Sequence, residues 1–202
     1  MAWLNRRFAL VATLGALALG GGSAAAAPPT GDMSLGNPNA KVKMVEYASL
    51  SCGHCATFNN EIFPAFKKKY IDTGKVHYTL REILTNPAQL AAAGFLTARC
   101  AGADKYFSVV DNVFKSHGEM ARTGDVQGVL RRVARDAGLS DQQFEACITD
   151  QASLDALNAR VAKATSDANL TGTPTFFFNG KKVSEGVMTA AQLDEAVAQA
   201  SK

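Results

Sequence analysis

Two cysteines separated by glycine and histidine, Cys52-Gly53-His54-Cys55, close a short apolar run and open a stretch of helical periodicity. That junction constrains the chain more than any other feature. Val42, Met44 and Val45 sit in a segment short enough for a strand, and an amphipathic helix is expected from Ala56 to Tyr70 with Ser51 as its N-cap. Cys52 then lies at a helix N-terminus, where unsatisfied N–H groups and the positive end of the macrodipole favour a thiolate over a thiol. Cys55, one turn further on, is placed as the resolving thiol: across two intervening residues its sulfur is near enough to close a disulfide without unfolding the chain.

Three plainer readings compete with a redox pair. A zinc site normally needs a second pair of ligands, and the other cysteines, Cys100 and Cys147, stand alone in separate segments. Haem attachment needs histidine directly after the second cysteine, where this chain has Ala56. A purely structural staple gains little, because so short a loop removes little entropy from the unfolded chain. The chemistry expected at this site therefore calls for no metal and no bound cofactor.

The amino terminus carries Arg6 and Arg7, an apolar run from Phe8 to about Leu19, then Gly20-Gly21-Gly22-Ser23 and four alanines. This is the pattern of a cleavable secretory signal over residues 1–26, cut within Ala24 to Ala27 and preferably after Ala25 or Ala26; the run is shorter than the about 20 apolar residues of a membrane span. The paired arginines leave the general and twin-arginine export routes both open. Cleavage removes both arginines, so the net charge falls from +3 to about +1, which argues against nucleic acid or acidic lipid as a partner. All four cysteines remain in the exported part, in a compartment where disulfides persist.

From Pro28 to Asn39 the chain reads as a lead-in with no chemistry. After the active-site helix, Thr73-Gly74 marks a turn, and Val76, Tyr78 and Leu80 alternate with His77, Thr79 and Arg81 as a second strand. Strand, helix and strand make a right-handed βαβ unit, with the cysteines at the strand end that ligands of open α/β sheets approach. Asn86-Pro87 opens a region to about Ala168 with almost no strand signal, in which four or five helices fit; Ser140 to Gln143 has the form of a capping box. Leu154, Leu157, Val161, Ala164 and Ala168 form an apolar stripe facing a core, and Arg131, Arg132 and Arg135 read as a solvated helix face. A bridge between Cys100 and Cys147 would close a loop of nearly fifty residues, worth about 4 kcal/mol in the chain-entropy model. That structural disulfide is preferred, with two buried thiols as the alternative.

Downstream, Thr171-Gly172-Thr173-Pro174-Thr175-Phe176-Phe177-Phe178 is a buried strand headed by a proline, a position where proline is often cis. Asn179-Gly180 signals a two-residue hairpin, and Thr189 to Gln192 is a second capping box that starts a helix from about Ala190 to Ala200 with Leu193, Ala196 and Val197 inward. The order is βαβ, helices, ββα.

Cys52-Gly53-His54-Cys55 after a strand, with Gly172-Thr173-Pro174-Thr175-Phe176 heading a distant hairpin, resembles the thioredoxin superfamily with a helical insertion, as in DsbA-like thiol:disulfide oxidoreductases. Tyr70-Ile71-Asp72-Thr73-Gly74 and the extra pair Cys100 and Cys147 are similar to the alphaproteobacterial DsbA-like branch. The resemblance implies an α/β thioredoxin fold split by an all-helical domain: residues 27–86 and 169–202 form the thioredoxin part and residues 87–168 the insertion. It further implies that Cys100 and Cys147 are bonded and that Pro174 is cis and packs across from both active-site cysteines. The backbone beside Pro174, at Thr173, would pair with an extended substrate peptide. Glu46 matches the buried acid that moves the proton of the resolving thiol, and His54 the ring that interacts with the reactive thiolate.

The function so implied is disulfide introduction into unfolded, reduced exported proteins in the periplasm, with a membrane-bound, quinone-linked reoxidase of the DsbB type as partner. Departures from the family bear on direction: Gly53 stands where DsbA has proline, and Thr173 where it has valine. Both weaken the expectation of extreme oxidising power, so an isomerase or reductase kept reduced by a membrane donor is the alternative. The short stretch ahead of Lys41 leaves little room for an oligomerisation segment, which favours a monomeric oxidase. Two other classes remain, a peptide-binding chaperone with incidental cysteines and a metal-handling protein using Cys52, Cys55 and a nearby histidine.

Overall fold

The computed structural model describes residues 28–202, so the expected signal segment and its cleavage site lie outside them. The first element is β1 (Met33–Leu35), an edge strand in what the sequence presents as a featureless lead-in. Three residues are too few to show a period of two. What places them is pairing: Met33 lies opposite Leu80, and the Ser34 and Thr79 hydroxyls meet at 2.8 Å. Then come β2 (Val42–Ala48), the active-site helix, and β3 (Val76–Glu82), with β2 and β3 parallel as a βαβ unit requires.

The active-site helix is not the continuous run expected from Ala56 to Tyr70. It begins at Gly53 and is built from α1 (Gly53–Thr57), a π-helical turn (Phe58–Ile62), α2 (Phe63–Phe66) and a second π-helical turn (Lys67–Ile71). Pro64, in the first turn of α2, is the physical reason for the first interruption, because it lacks an N–H and its ring collides with a carbonyl one turn back. The helix still buries one face on the sheet: Phe58 packs on Phe176 with ring centroids 4.7 Å apart, and Phe63 on Tyr78 at 4.7 Å.

The strand-poor middle of the chain forms six helices where four or five were expected: α3 (Ala88–Cys100), α4 (Ala103–Lys115), α5 (His117–Thr123), α6 (Val126–Asp136), α7 (Asp141–Thr149) and α8 (Gln151–Ala168). The extra one is the short α5, which follows α4 almost without a break. Ser140 and Gln143 form the expected capping box. Leu157, Ala164 and Ala168 of the α8 stripe are buried, while Leu154 and Val161 are half-buried. Arg131, Arg132 and Arg135 sit on the surface paired with Glu145, Glu119 and Asp141. Cys100 and Cys147 are bonded, 47 residues apart in sequence, tying the end of α3 to α7.

β4 (Thr175–Phe178), β5 (Lys181–Glu185) and α9 (Ala190–Ala200) complete the sheet, whose order is β1-β3-β2-β4-β5. Asn179 and Gly180 both take positive φ, as a two-residue hairpin turn of this kind requires. The central β2 pairs with β3 on one side and β4 on the other, and its residues are buried or half-buried throughout. At the end of β3, buried Glu82 accepts from Arg99 Nε at 2.6 Å, Tyr106 Oη at 3.0 Å and Arg160 Nε at 3.0 Å, pinning α3, α4 and α8 to the sheet. Among the described residues no helix is long and apolar enough to cross a membrane.

Candidate active site

β2 ends at Ala48, and the next four residues are clamped before the helix begins. Ser49 Oγ accepts the Thr85 N–H at 3.1 Å, and Ser51 Oγ donates to the Thr85 carbonyl at 2.7 Å. The Leu50 carbonyl meets His117 Nε2 at 2.7 Å, and the fully buried Leu50 side chain lies against α3 at Gly94. A β-carbon on Gly94 would come within 2.7 Å of Leu50 Cδ1, so the absence of a side chain there lets the helical insertion approach the active-site loop.

Ser51 is therefore not the N-cap. Its hydroxyl is engaged with Thr85, and the cap is Cys52 itself, whose backbone is extended and whose Sγ accepts the Cys55 N–H at 3.4 Å. Both active-site thiols are reduced in this structure, Cys52 half-buried and Cys55 buried. The Cys52 thiol also reaches the Thr173 carbonyl at 3.4 Å. Its pKa is held down to about 5, first by a hydrogen bond from the Cys55 thiol, then by the Thr173 side chain and the backbone N–H groups of Cys55 and His54, against an opposing push from burial. His54 is exposed, and it acts on the sulfur through its backbone N–H.

Cys55 is moved in the opposite direction. Burial drives its pKa far above the ordinary thiol range, and donation to Cys52 and the nearby charges of Glu46 and Cys52 push it further. Glu46, in the middle of β2 between Leu80 and Phe176, is 3% exposed. Burial raises its pKa to about 8, although a hydrogen bond donated by Tyr78 Oη to Glu46 Oε2 at 2.7 Å works against the rise. The site thus sets a half-buried sulfur whose pKa is held down beside a buried thiol whose pKa is pushed up, with a buried carboxyl group raised to about 8 nearby.

The Thr173–Pro174 peptide bond is cis, as expected, and Pro174 is buried at the head of β4. The sequence-named residues Cys52, Cys55, Glu46, Thr173 and Pro174 converge on one place. Cys100 and Cys147 lie elsewhere, in the helical insertion. Sequence reasoning missed Tyr78, His117 and Thr85, whose contacts with the site span 32, 67 and 34 residues and leave no local signal. Among the described residues no group of three or more His, Cys, Asp or Glu side chains is gathered as a metal site.

A family profile described as thioredoxin matches residues 29–199. A provisionally named protein-disulfide oxidoreductase of Rickettsia bellii is 31% identical over 169 residues, covering 82% of this chain and 64% of the relative. One from Rickettsia typhi is 35% identical over 150 residues, covering 74% of this chain and 55% of the relative. The chain therefore spans between about half and two thirds of the length of these curated relatives. Among solved structures, Wolbachia pipientis alpha-DsbA1 superposes with a TM-score of 0.77 at 28% identity, over 86% of this chain and 92% of that one. Oxidised BdbD from Bacillus subtilis, at 21% identity and a TM-score of 0.71 over 87% and 96%, shares the fold.

Proposed function

This chain belongs to the thioredoxin family, in its DsbA-like branch, and on that premise we propose that it is an exported thiol:disulfide oxidoreductase that introduces disulfides into other exported proteins. The observation that carries the reading is the Cys52 sulfur acting as the cap of its own helix, where the donors around it stabilise a thiolate. A thiolate stabilised in the reduced protein favours the dithiol over the disulfide, which makes the disulfide form an oxidant.

In the forward direction a substrate thiolate attacks Cys52 Sγ of the Cys52–Cys55 disulfide. Cys55 leaves with the bonding electron pair and takes a proton from Glu46. A second substrate thiolate then attacks the substrate sulfur of the mixed disulfide, so the substrate leaves oxidised and Cys52 leaves as a thiolate. Two electrons have passed to the protein, and a membrane-bound, quinone-linked reoxidase of the DsbB type is the partner that removes them. Thr173 and Pro174 are assigned to hold the substrate backbone in extended form, and the periplasm is the assigned compartment.

Isomerase or reductase chemistry is the second reading, favoured by Gly53 and Thr173 at positions where DsbA has proline and valine. Equilibration with glutathione buffers, read by trapping the remaining thiols, separates the two. The oxidase reading expects a potential nearer the about −120 mV of DsbA than the about −270 mV of thioredoxin. A value near the latter overturns it in favour of a reductase.

A further inference from the structure

Among the described residues, the hydrogen bond that reaches the Glu46 side chain comes from Tyr78, a residue the exchange scheme does not use. Tyr78 is 2% exposed, and its ring is held by Phe63 at 4.7 Å and Phe107 at 6.0 Å between centroids. It also forms part of the wall of a cleft of about 390 Å³ between β3, the active-site helix and α4, rimmed by Asn59, Lys67, Asp111 and Lys115. Glu46 does not reach that wall. The tyrosine therefore bonds the buried carboxylate with its hydroxyl and is itself part of the cleft lining.

We propose that Tyr78 is a positioning residue that sets the ionisation of Glu46, and thereby the pH range over which Cys55 exchanges its proton. The inference rests on the reading of Cys52 and Cys55 as an exchanging pair. When the reduced protein is reoxidised, Cys55 gives its proton to the Glu46 carboxylate and its thiolate attacks Cys52 Sγ in the mixed disulfide. The new S–S bond forms and the partner sulfur departs as a thiolate. The proton then rests on Glu46, and the Tyr78 hydroxyl, by donating to that carboxyl group, favours its return to the charged form.

A phenol that donates to a carboxylate favours the charged carboxylate, opposing the burial that raises the Glu46 pKa to about 8. The phenol keeps its own proton, because burial and the Glu46 charge hold its pKa well above the ordinary range. The titratable groups facing Glu46 are Tyr78 from β3 and Cys52 and Cys55 from the active-site helix. Its neighbour on β4, Phe176, is uncharged, and Tyr106 from α4 faces Tyr78.

The test is a carbon-13 titration of glutamate carboxyls in the reduced protein, wild type against Tyr78→Phe, which preserves the ring packing. The Glu46 midpoint is expected to rise by about one pH unit, roughly tenfold in ionisation constant. Resolution of a glutathione mixed disulfide should shift along pH in the same direction, while alkylation of Cys52 keeps its midpoint. In a Glu46→Gln background, Tyr78→Phe should leave the resolution profile where it is. Should Tyr78→Phe fail to fold, a fluorotyrosine placed at position 78 strengthens the donor and should lower the Glu46 midpoint. An unchanged Glu46 midpoint overturns the proposal, as does a Cys52 profile that moves as far as the resolution profile. A wild-type protein that does not react with glutathione, but whose Glu46 titration still responds to Tyr78→Phe, sinks the exchange reading and supports the ionisation link.

Discussion

At the scale of single residues, the chemistry turns on which atom fills the first vacancy of the active-site helix. Serine is among the preferred N-caps, and Ser51 is the nearest one; the structure instead uses the Cys52 sulfur, the atom to which the proposed exchange is assigned. The donor with the largest effect on that sulfur is the Cys55 thiol, so removing it has a definite sign. Iodoacetamide alkylation of wild type should follow a midpoint near pH 5, with Cys55 unreactive over the same range. In Cys55→Ala the midpoint should move upward by roughly one pH unit, the scale of one hydrogen bond to a charged group. A midpoint that stays in place would assign the thiolate to the helix end and Thr173 alone. Cys52 and Cys55 were legible from the spacing of their motif and Pro174 from its place at the head of a strand, whereas Glu46 and Thr173 were named through the resemblance to DsbA-like proteins. Tyr78 and His117 were not, since a tyrosine alternating in a strand and a histidine at a helix start look ordinary until the chain folds and brings Glu46 and Leu50 to them.

At the scale of elements, the helical insertion and the thioredoxin sheet meet directly at the active-site loop. Leu50 is the contact: its side chain lies on α3 at Gly94 and its carbonyl bonds to His117 at the start of α5. Gly94→Ala adds a methyl group that must displace a fully buried leucine, a strain of about 1–3 kcal/mol offset by the about 1 kcal/mol that alanine gains over glycine in a helix. The expected result is a net loss of about 1 kcal/mol, read as a lower urea midpoint with an unchanged slope, together with slower exchange at Cys52. A variant as stable as wild type would show that Leu50 moves aside freely. The long elements and both capping boxes were readable from period and caps. β1 was hidden because only its partner strand defines it, and the breaks in the active-site helix because Pro64 acts on the backbone without disturbing the apolar pattern.

For the whole molecule, the two shifted groups make stability depend on pH and on redox state together. A folded-state pKa lowered from 9.0 to about 5 means that Cys52 contributes stability fully present above pH 9 and lost as pH falls toward 5. Glu46 has the opposite sign: raised from 4.5 to about 8, its contribution is fully present below pH 4.5 and lost as pH climbs to 8. In the dithiol protein these slopes oppose each other between about pH 5 and 8, so its melting temperature should be nearly flat there. In the disulfide protein Cys52 does not titrate, and the Glu46 slope stands alone, so stability should decline as pH rises. The melting temperature of the reduced form relative to the oxidised form should therefore increase steadily from pH 5 to pH 8, and paired calorimetric scans of the two redox states measure it. Because the difference in folding free energy between the states is also the driving force for giving up the disulfide, the same scans report whether oxidising power grows with pH. A gap that shrinks over this range would mean that the Cys52 sulfur is not the anion on which the oxidase reading depends.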